Sequence, residues 1–289
     1  LRECRMREAG KLPADAALPV AEIDGVVGYT DVKYFMRVFR HHFGTTPSGF
    51  RQASESPPPE RIAPLAPTMD RRQPSNYHPA KGDTMERREI GTTGIEVSTI
   101  SLGCWPMGGD YWGGADDEES IRTVHRALEL RVNFLDTAPA YGNGHSEEVV
   151  GRALEGRREE AVISTKASGL GRSEDDLRSQ LAKSLERLRT DHVDVYFLHW
   201  PNRNEPLAPA IEALERMRSD GMIRAVGVSN FDVKMLEMAA KYGTVDILQP
   251  PYNLIWRFIE EDVLPWCAEH GVGVSTYSSL AQGILAGAI

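Results

Sequence analysis

Three short apolar segments of the chain each end at a side chain that can take part in acid–base chemistry. Asp136 follows VNFL, Lys166 follows AVIST and His199 follows VDVYFL, while Tyr141 lies in the turn-rich segment directly after Asp136. The carboxyl ends of parallel strands in an α/β fold meet at one rim. We therefore expect the carboxylate, ammonium, imidazole and phenol to converge there.

This set of groups is suited to delivering a proton to an oxygen atom. A phenol has an unperturbed pKa of about 10. We expect the ammonium of Lys166, held in place by Asp136, to lower the pKa of Tyr141. The imidazole of His199 would hold a carbonyl oxygen beside the phenol. No good nucleophile or metal-ligand cluster accompanies these groups, so the carbonyl carbon must receive hydride from a cofactor.

Each of these residues also has a structural interpretation when it is taken alone. Asp136 could cap a turn or a helix, and Tyr141 could be a surface aromatic residue in a glycine-rich loop. Lys166 could be a solvated strand end, and His199 a hydrogen-bonded residue at the rim. Their joint placement at successive strand ends favours the catalytic interpretation.

Strands and helices alternate along the chain from Met85 onward. MERREIGTTGIEVSTISLG predicts a hairpin around residues 92–94 and then a first strand over residues 99–103. Six more apolar strands follow with helices between them, which predicts parallel strands joined by right-handed crossovers. A closed (β/α)8 TIM barrel has eight strands. We therefore expect an α/β fold that is such a barrel lacking its last strand and helices.

Local signals mark where several helices begin and end. Asp116 or Asp117 is expected to cap the helix after the first strand, and Ser173 with Asp176 forms a start resembling a capping box. The later sequence predicts a helix over residues 260–269 and a last strand over residues 271–277.

The first 84 residues differ in character from the rest of the chain. Residues 1–51 contain two helical patterns joined by a turn at residues 28–30, with 8 Lys/Arg against 6 Asp/Glu. Residues 52–84 contain seven prolines and no apolar periodicity, which predicts a disordered linker. The net charge of the whole chain is −9, which argues against a protein that only binds nucleic acid.

Cysteine usage and hydropathy bear on where the protein works. The three cysteines have no CxxC or metal-ligand spacing, which favours a reduced, cytoplasmic protein. The sequence shows no signal-peptide pattern and no apolar segment approaching 18 residues. We expect no membrane span.

Six motifs in order give the segment from about Met85 to the last residue a resemblance to the aldo-keto reductase family. They are DTAPAYG, STK, LHWP, GVSNF, LQPPYNL and TYSSLAQG. The resemblance implies a cytoplasmic oxidoreductase that transfers hydride from NADPH to the carbonyl of a small aldehyde or ketone. NADH stays open as the hydride donor.

The resemblance also implies roles for individual residues. Tyr141 matches the general acid of the family, tuned by Lys166 and Asp136, and His199 matches the group that orients and polarises the carbonyl. The resemblance also matches residues that contact the nicotinamide. Its carboxamide would be hydrogen-bonded by Ser229, Asn230 and Gln249, and its ring would stack on Tyr277. The segment along the pyrophosphate contains Ser278, Leu280, Gln282 and Gly283.

Two further matches and one departure concern the surroundings of these residues. Trp105 and Trp200 match apolar walls of the substrate pocket. Arg131 lies at a helix end where the family nearly always has glycine, and left-handed backbone there would cost about 1 kcal/mol. In the family, residues after the eighth strand hold the adenosine half of the cofactor, so we leave the strength of cofactor binding open.

The segment VAEIDGVVGYTDVKYFMRVFRHHFGTTPSGFR resembles the second helix-turn-helix of AraC-type transcription regulators. That resemblance implies DNA contacts from Lys33, Arg37 and Arg40. A translated remnant without DNA-binding activity is the alternative for residues 1–51. For the whole chain, the alternatives to a reductase are a fragment of a DNA-binding regulator and a cofactor-binding barrel with little turnover. The oligomeric state stays open.

Overall fold

The computed structural model describes Arg40, Thr46 and residues 85–110, 114–167, 173–201 and 206–287. The chain divides into two units, Leu1–Tyr77 and His78–Ile289. The helix-turn-helix expected over residues 1–51 and the linker expected over residues 52–84 lie outside the described residues, apart from Arg40 and Thr46. Arg40 is helical and exposed. All elements labelled below belong to the second unit.

Strands and helices alternate through the described part of this second unit. The strands are β1 (Arg87–Glu89), β2 (Glu96–Ser98), β3 (Ser101–Gly103), β4 (Phe134–Asp136), β5 (Val162–Ala167), β6 (Val193–Leu198), β7 (Ile223–Ser229), β8 (Ile247–Gln249) and β9 (Gly273–Val274). The α-helices are α1 (Asp117–Glu129), α2 (His145–Ala153), α3 (Glu174–Leu188), α4 (Ala208–Ser219), α5 (Val233–Ala239) and α6 (Val263–Glu269). Short 3-10 helices lie at Trp105–Gly108, Gly142–Gly144, Arg158–Glu160, Phe258–Glu260 and Ala281–Ala286.

The strands form a hairpin and one parallel sheet. β1 and β2 pair antiparallel, with Arg88 opposite Val97, as the sequence predicts. β3 to β9 form a seven-stranded sheet in chain order, and every neighbouring pair is parallel. The predicted alternation of strands and helices with parallel pairing is therefore confirmed for the described residues.

The sheet is strongly curved. Asp136 ends β4, the second strand of the sheet, and Gln249 ends β8, the sixth. In a flat sheet, four strand spacings would separate the two backbones by about 19 Å. Instead, Gln249 Nε2 donates a hydrogen bond to Asp136 Oδ1 at 3.1 Å. The inner faces of these strands must therefore turn toward each other, which brings distant strand ends to one place.

An apolar layer fills the inner face of the curved sheet below this rim. The hairpin contributes Ile90, Ile95 and Val97, which pack against residues pointing inward from five strands. Those residues are Phe134, Val162, Val195, Phe197, Ala225 and Ile247. Gly227 lies opposite Phe197, and a Cβ there would come within 2.4 Å of the Phe197 ring. The hairpin thus closes the amino-terminal end of the sheet.

The helices cover the outer face of the sheet, and α1 and α3 begin where the sequence predicts. The Asp116 side chain accepts a hydrogen bond from Glu119 N at 2.8 Å and caps α1. Ser173 Oγ accepts from Asp176 N at 3.2 Å and caps α3. The inward stripe of α3 is buried through Leu177, Leu181 and Leu188. Capping and apolar spacing are local signals, which explains why these starts were predictable.

Two predictions near the end of the chain were wrong in extent. The helix expected over residues 260–269 is a 3-10 turn at Phe258–Glu260 followed by α6, which begins at Val263. Pro265 is the physical reason, because proline is tolerated in the first turn of a helix but breaks its interior. The strand expected over residues 271–277 is only Gly273–Val274, with one further bridge between Pro251 and Tyr277. Its described neighbour, β8, is itself only three residues long.

The backbone after α1 is left-handed at Arg131, a helix end at which the family nearly always has glycine. Arg131 has φ of 65°. Its amide donates to Leu128 O at 2.9 Å, and Val132 N donates to Ala127 O at 2.9 Å. These two bonds form a Schellman motif, whose left-handed position favours glycine.

We expect Arg131→Gly to raise the free energy of unfolding by about 0.5–1 kcal/mol, since glycine removes the left-handed strain but gains freedom in the unfolded chain. Denaturant unfolding followed by circular dichroism measures this change. Arg122→Gly, the same replacement in the interior of α1, is the control and should lower stability by about 1 kcal/mol. A loss of stability in Arg131→Gly would contradict the assigned strain.

Candidate active site

Asp136 is the centre of the polar cluster at the carboxyl rim of the sheet. Lys166 Nζ donates to its Oδ1 and Oδ2 at 2.9 and 2.8 Å. Ser164 Oγ donates to Oδ1 at 2.7 Å, and Gln249 Nε2 donates to the same atom at 3.1 Å. Donors from two other strands thus fix the orientation of the carboxylate that ends β4.

Lys166 is a buried cation with a complete set of acceptors. Only 1% of the residue is exposed. Besides Asp136, its Nζ donates to Thr137 O at 2.8 Å and to Tyr141 Oη at 3.2 Å. Burial alone would lower the pKa of Lys166, but Asp136 and Tyr141 outweigh that effect and hold the pKa above its usual value. Lys166 therefore stays an ammonium and aims one N–H at the phenol.

Close backbone contacts fix the loop that carries Tyr141. A Cβ at Gly142, whose φ is 63°, would lie about 2.1 Å from Gly108 O. A Cβ at Gly144 would lie 2.7 Å from Arg187 Cδ, so the Arg187 side chain packs directly under the loop. Only glycine allows either approach.

A buried ion pair that sequence reasoning missed supports this loop from behind. The guanidinium of Arg187 pairs with the fully buried Glu147 at 2.6 Å. Glu147 also accepts a hydrogen bond from Thr165 Oγ1 at 2.6 Å. Because Thr165 directly precedes Lys166, the Glu147–Thr165 hydrogen bond connects the helix after Tyr141 to the strand that carries the ammonium.

The acidity of Tyr141 differs from the sequence expectation. Burial raises the pKa of Tyr141 above its usual value, and the Lys166 ammonium offsets only part of this effect. The effect of Lys166 on the pKa of Tyr141 has the expected direction, but the net shift is upward because burial outweighs it. The expectation did not weigh burial, which raises the pKa because a phenolate loses hydration in such a site. Tyr141 keeps its proton at neutral pH and can act as an acid.

His199 lies beside Tyr141 as a neutral imidazole. The two ring centroids are 6.1 Å apart in an edge-to-face arrangement. Burial and then the positive charge of Lys166 lower the pKa of His199 to about 4. The neutral ring carries one N–H, so it can donate a hydrogen bond to a neutral oxygen acceptor.

The two tryptophans expected in a substrate pocket flank these rings. Trp105 lies 6.1 Å from Tyr141 between ring centroids, and Trp200 stacks on His199 at 5.9 Å. Trp200 is 56% exposed. Tyr141 and His199 are therefore bordered by aromatic surface that an apolar ligand can cover.

Four of the residues matched to cofactor contacts form one hydrogen-bonded chain beside His199. Ser229 Oγ donates to Gln249 O at 2.8 Å, and Asn230 Nδ2 donates to Ser229 Oγ at 3.0 Å and to His199 O at 3.2 Å. Tyr277 Oη donates to Asn230 Oδ1 at 2.7 Å. The structure thus brings these four residues to the same rim as Asp136.

The other four matched residues follow Tyr277 along the chain. Ser278 and Gln282 both have φ of 55°, Gly283 has φ of 100°, and Leu280 is 61% exposed. The carbonyl of Ser278 accepts a hydrogen bond from Asn253 Nδ2 at 3.0 Å. Within the described residues, no hydrogen bond links this segment directly to Asp136, Lys166 or Tyr141.

Ser164 and Thr137 were not singled out from the sequence although both contact the cluster. Ser164 had a usable signal, because it lies two residues before Lys166 on a strand and must face the same side. Thr137 contributes its backbone carbonyl, which no side-chain pattern reveals.

Metal ligands, cysteine thiols and membrane-spanning helices were the other features that the sequence raised. Among the described residues, no group of three or more His, Cys, Asp or Glu could hold a metal ion. Burial raises the pKa of the Cys104 thiol to about 12 and that of Cys267 to about 11. No helix in the described ranges is long and apolar enough to cross a membrane.

Known proteins resemble this chain in sequence and in structure. The sequence model of the aldo/keto reductase family matches residues 99–289, and a helix-turn-helix domain model matches residues 1–53. The chain is 39% identical to the aldo-keto reductase YhdN of Bacillus subtilis (strain 168) over 70% of its own length and 64% of that protein. It is 35% identical to the NADH-specific methylglyoxal reductase of Escherichia coli (strain K12), covering 71% of this chain and 70% of the relative.

A solved structure is also similar to the chain. It is an aldo/keto reductase from Klebsiella pneumoniae in complex with NADP and acetate, with 34% identity and a TM-score of 0.60. The match covers 65% of this chain and 66% of that one. The chain thus spans about two thirds of the length of these relatives, including 64% of the Bacillus protein.

We expect His199 to stay neutral in the folded chain down to about pH 4, whereas the unfolded chain protonates near its usual pKa of 6.5. Because the unfolded state then binds the proton first, stability should fall as the pH drops from 6.5 toward 4. Imidazole proton resonances recorded against pH by NMR measure the pKa directly. His199→Gln identifies the resonance and should lose less stability than the wild type across this window. A midpoint near 6.5 would contradict the structure.

Proposed function

The chain belongs to the aldo-keto reductase family, and from this premise we propose that it reduces an aldehyde or ketone to an alcohol with a reduced nicotinamide cofactor. The observation that carries the proposal is the contact of Lys166 Nζ with Tyr141 Oη at 3.2 Å, at the point where Asp136 holds the ammonium. A protonated phenol beside a fixed ammonium is an arrangement for giving a proton to a developing alkoxide.

The proposed mechanism assigns one task to each of the four residues. The cofactor would supply the hydride that the carbonyl carbon receives. Tyr141 gives its phenolic proton to the carbonyl oxygen, and the charge left on the phenolate is stabilised by Lys166. Asp136 keeps that ammonium charged and in place. The raised pKa of Tyr141 ensures that the phenol enters the reaction with its proton.

His199 positions the carbonyl oxygen for this transfer. The lowered pKa of His199 leaves a neutral imidazole, whose N–H donates to the carbonyl oxygen without adding a second cation next to Lys166. Trp105 and Trp200 border the same space and would contact the apolar body of the substrate. We therefore propose a small carbonyl compound with an apolar or aromatic group as the substrate class.

The hydrogen-bonded residues beside His199 can bind the carboxamide of a nicotinamide ring. Gln249 is buried, and its Oε1 accepts no hydrogen bond from the described residues, so it is available for the carboxamide N–H. We propose that Ser229 and Asn230 complete this contact and that Tyr277 stacks on the ring. The pyrophosphate would then lie along Ser278, Leu280, Gln282 and Gly283.

We propose NADPH as the donor and keep NADH as the alternative. The Klebsiella structure contains NADP, whereas the Escherichia coli relative is named as NADH-specific. We also propose that the seven parallel strands belong to a (β/α)8 barrel. We further propose that the protein works in the cytoplasm.

Tyr141→Phe tests the proposal directly. We expect this variant to lower kcat for a reactive aldehyde by a factor of about 100 or more, because it removes the proton donor. NADPH affinity, followed by tryptophan fluorescence of the same chain, should change only about twofold, because the phenol does not hold the cofactor. NADH is titrated in parallel to decide the donor.

Tyr242→Phe is the matched control because Tyr242 is 42% exposed, and it should retain full activity. Equal turnover by Tyr141→Phe and the wild type would refute the assigned role. Tight NADPH binding with negligible turnover over a broad carbonyl panel would favour the alternative, a cofactor-binding barrel.

The helix-turn-helix match over residues 1–53 favours a second candidate function, DNA binding by the amino-terminal unit. We propose three segments: the helix-turn-helix over residues 1–51, a linker over residues 52–84, and the reductase over residues 85–289. Lys33, Arg37 and Arg40 would contact DNA.

Mobility-shift measurements with the full chain test this candidate. If residues 1–51 bind DNA, affinity should fall steeply with salt because phosphate contacts release counterions. Combined replacement of Arg37 and Arg40 by Ala should weaken the complex by roughly tenfold or more. Arg122→Gln, a surface change on α1, is the control. Absence of a shifted complex at low salt would rule the candidate out.

A further inference from the structure

A cavity lies at the opposite end of the sheet from the Tyr141 cluster. Its volume is about 330 Å³, and its walls include the amino-terminal ends of β5, β6 and β7, at Val162, Asp194 and Arg224. Val162 and Lys166 lie on the same strand, about 13 Å apart. The cavity is therefore separate from the proposed catalytic rim, and its volume falls within the range of small-ligand sites, about 300–1,000 Å³.

Four arginines line this space, which we name the arginine cavity after Arg87, Arg131, Arg158 and Arg224. The buried carboxylate of Asp194 binds two of them. Arg158 Nη2 donates to its Oδ2 at 2.9 Å and Arg224 Nη1 to its Oδ1 at 2.6 Å. One carboxylate between two guanidinium groups leaves one positive charge in excess.

The other two arginines add to this excess. Neither Arg87 nor Arg131 makes an ion pair or a side-chain hydrogen bond with any residue in the described ranges, and both are exposed. Besides Asp194, two carboxylates line the walls. Glu160 is bound by Arg157 at 2.9 and 2.8 Å, which leaves Glu159 as the uncompensated carboxylate among the described wall residues. Positive groups therefore outnumber uncompensated carboxylates, in a chain whose net charge is −9.

The guanidinium groups retain donors that the protein does not use. Arg158 is fully engaged, since it also donates to Ala161 O at 2.8 Å and to Thr190 Oγ1 at 3.1 Å. Arg224 uses only Nη1 among the described residues, so Nε and Nη2 are available. A forked guanidinium pairs with two oxygens of a phosphoryl group, which makes arginine well suited to phosphate binding.

Arg131 contributes its cation from a strained position. Its φ of 65° falls where a side chain costs free energy that glycine avoids. The chain thus carries a long cationic side chain at a backbone position that favours glycine, and this side chain borders the arginine cavity.

We propose that the arginine cavity binds a small metabolite that carries a phosphate group. Arg87, Arg131 and the free edge of Arg224 contact the phosphoryl oxygens, and Arg158 with Asp194 forms the fixed wall behind them. Glu159 accepts a hydrogen bond from a hydroxyl group in the uncharged part of the ligand. The site is one of binding, at the end of the sheet away from the proposed reductase chemistry.

Isothermal titration of the full chain with inorganic phosphate and, separately, with glycerol phosphate tests the proposal at constant ionic strength. We expect saturable binding with one site per chain. Arg131→Gly and Arg87→Gln should each weaken it by about tenfold, because each removes a charge-assisted contact. Arg122→Gln removes the same charge from an exposed position on α1 and should leave the affinity unchanged.

The outcomes separate this site from others in the molecule. Tighter binding of glycerol phosphate identifies an organic phosphoester as the ligand class, and tighter binding of inorganic phosphate identifies the free ion. Absence of saturable binding, or equal affinity in Arg131→Gly, Arg87→Gln and the wild type, overturns the proposal. Arg131→Gly is expected to be more stable than the wild type, so its lost affinity cannot arise from unfolding. No readout uses turnover or a nicotinamide, so failure of the reductase proposal leaves this test intact.

Discussion

The buried ion pair of Lys166 and Asp136 is the interaction on which the rest of the rim depends. A fully buried ammonium is costly unless a carboxylate and further acceptors surround it, and removing one partner of such a pair leaves an uncompensated charge. Lys166 meets this condition through Asp136, Thr137 O and Tyr141 Oη at 2.8 to 3.2 Å. β4 and β5 must then keep their register, with Asp136 beside Ser164, and the loop carrying Tyr141 must stay closed over the pair.

The two ends of the sheet use charge in different ways. At the carboxyl rim, the groups of Asp136, Lys166 and Tyr141 face one another around a point where a ligand can enter. At the amino-terminal end, Asp194 joins strands, since its Oδ2 accepts from Ile163 N at 2.8 Å while two arginines flank it. Asp246 does the same for β7 through Val226 N at 2.7 Å. The apolar layer around Phe197 lies between the two ends and keeps them apart.

Sequence reasoning succeeded where the signal was local. The caps at Asp116 and Ser173, the hairpin and the order of strands follow from residue type and spacing over a few positions. It failed at Pro265, whose effect on the start of α6 was overlooked, and at Tyr141, where the charge of Lys166 was weighed without the burial that opposes it. Glu147 and Arg187 could not be found, because their partners are 18 and 40 residues away in the chain.

The sequence by itself determined the alternating α/β architecture and the strand-end positions of Asp136, Lys166 and His199. The spacing of apolar residues and the position of turn residues depend only on neighbouring positions, so both can be predicted from the sequence. Only the tertiary structure decided that Gln249 reaches Asp136, that the pKa of His199 falls to about 4, and that four arginines share one cavity. These features depend on how far the sheet curves and on how much water each group loses, and both are set by contacts between residues distant in the chain.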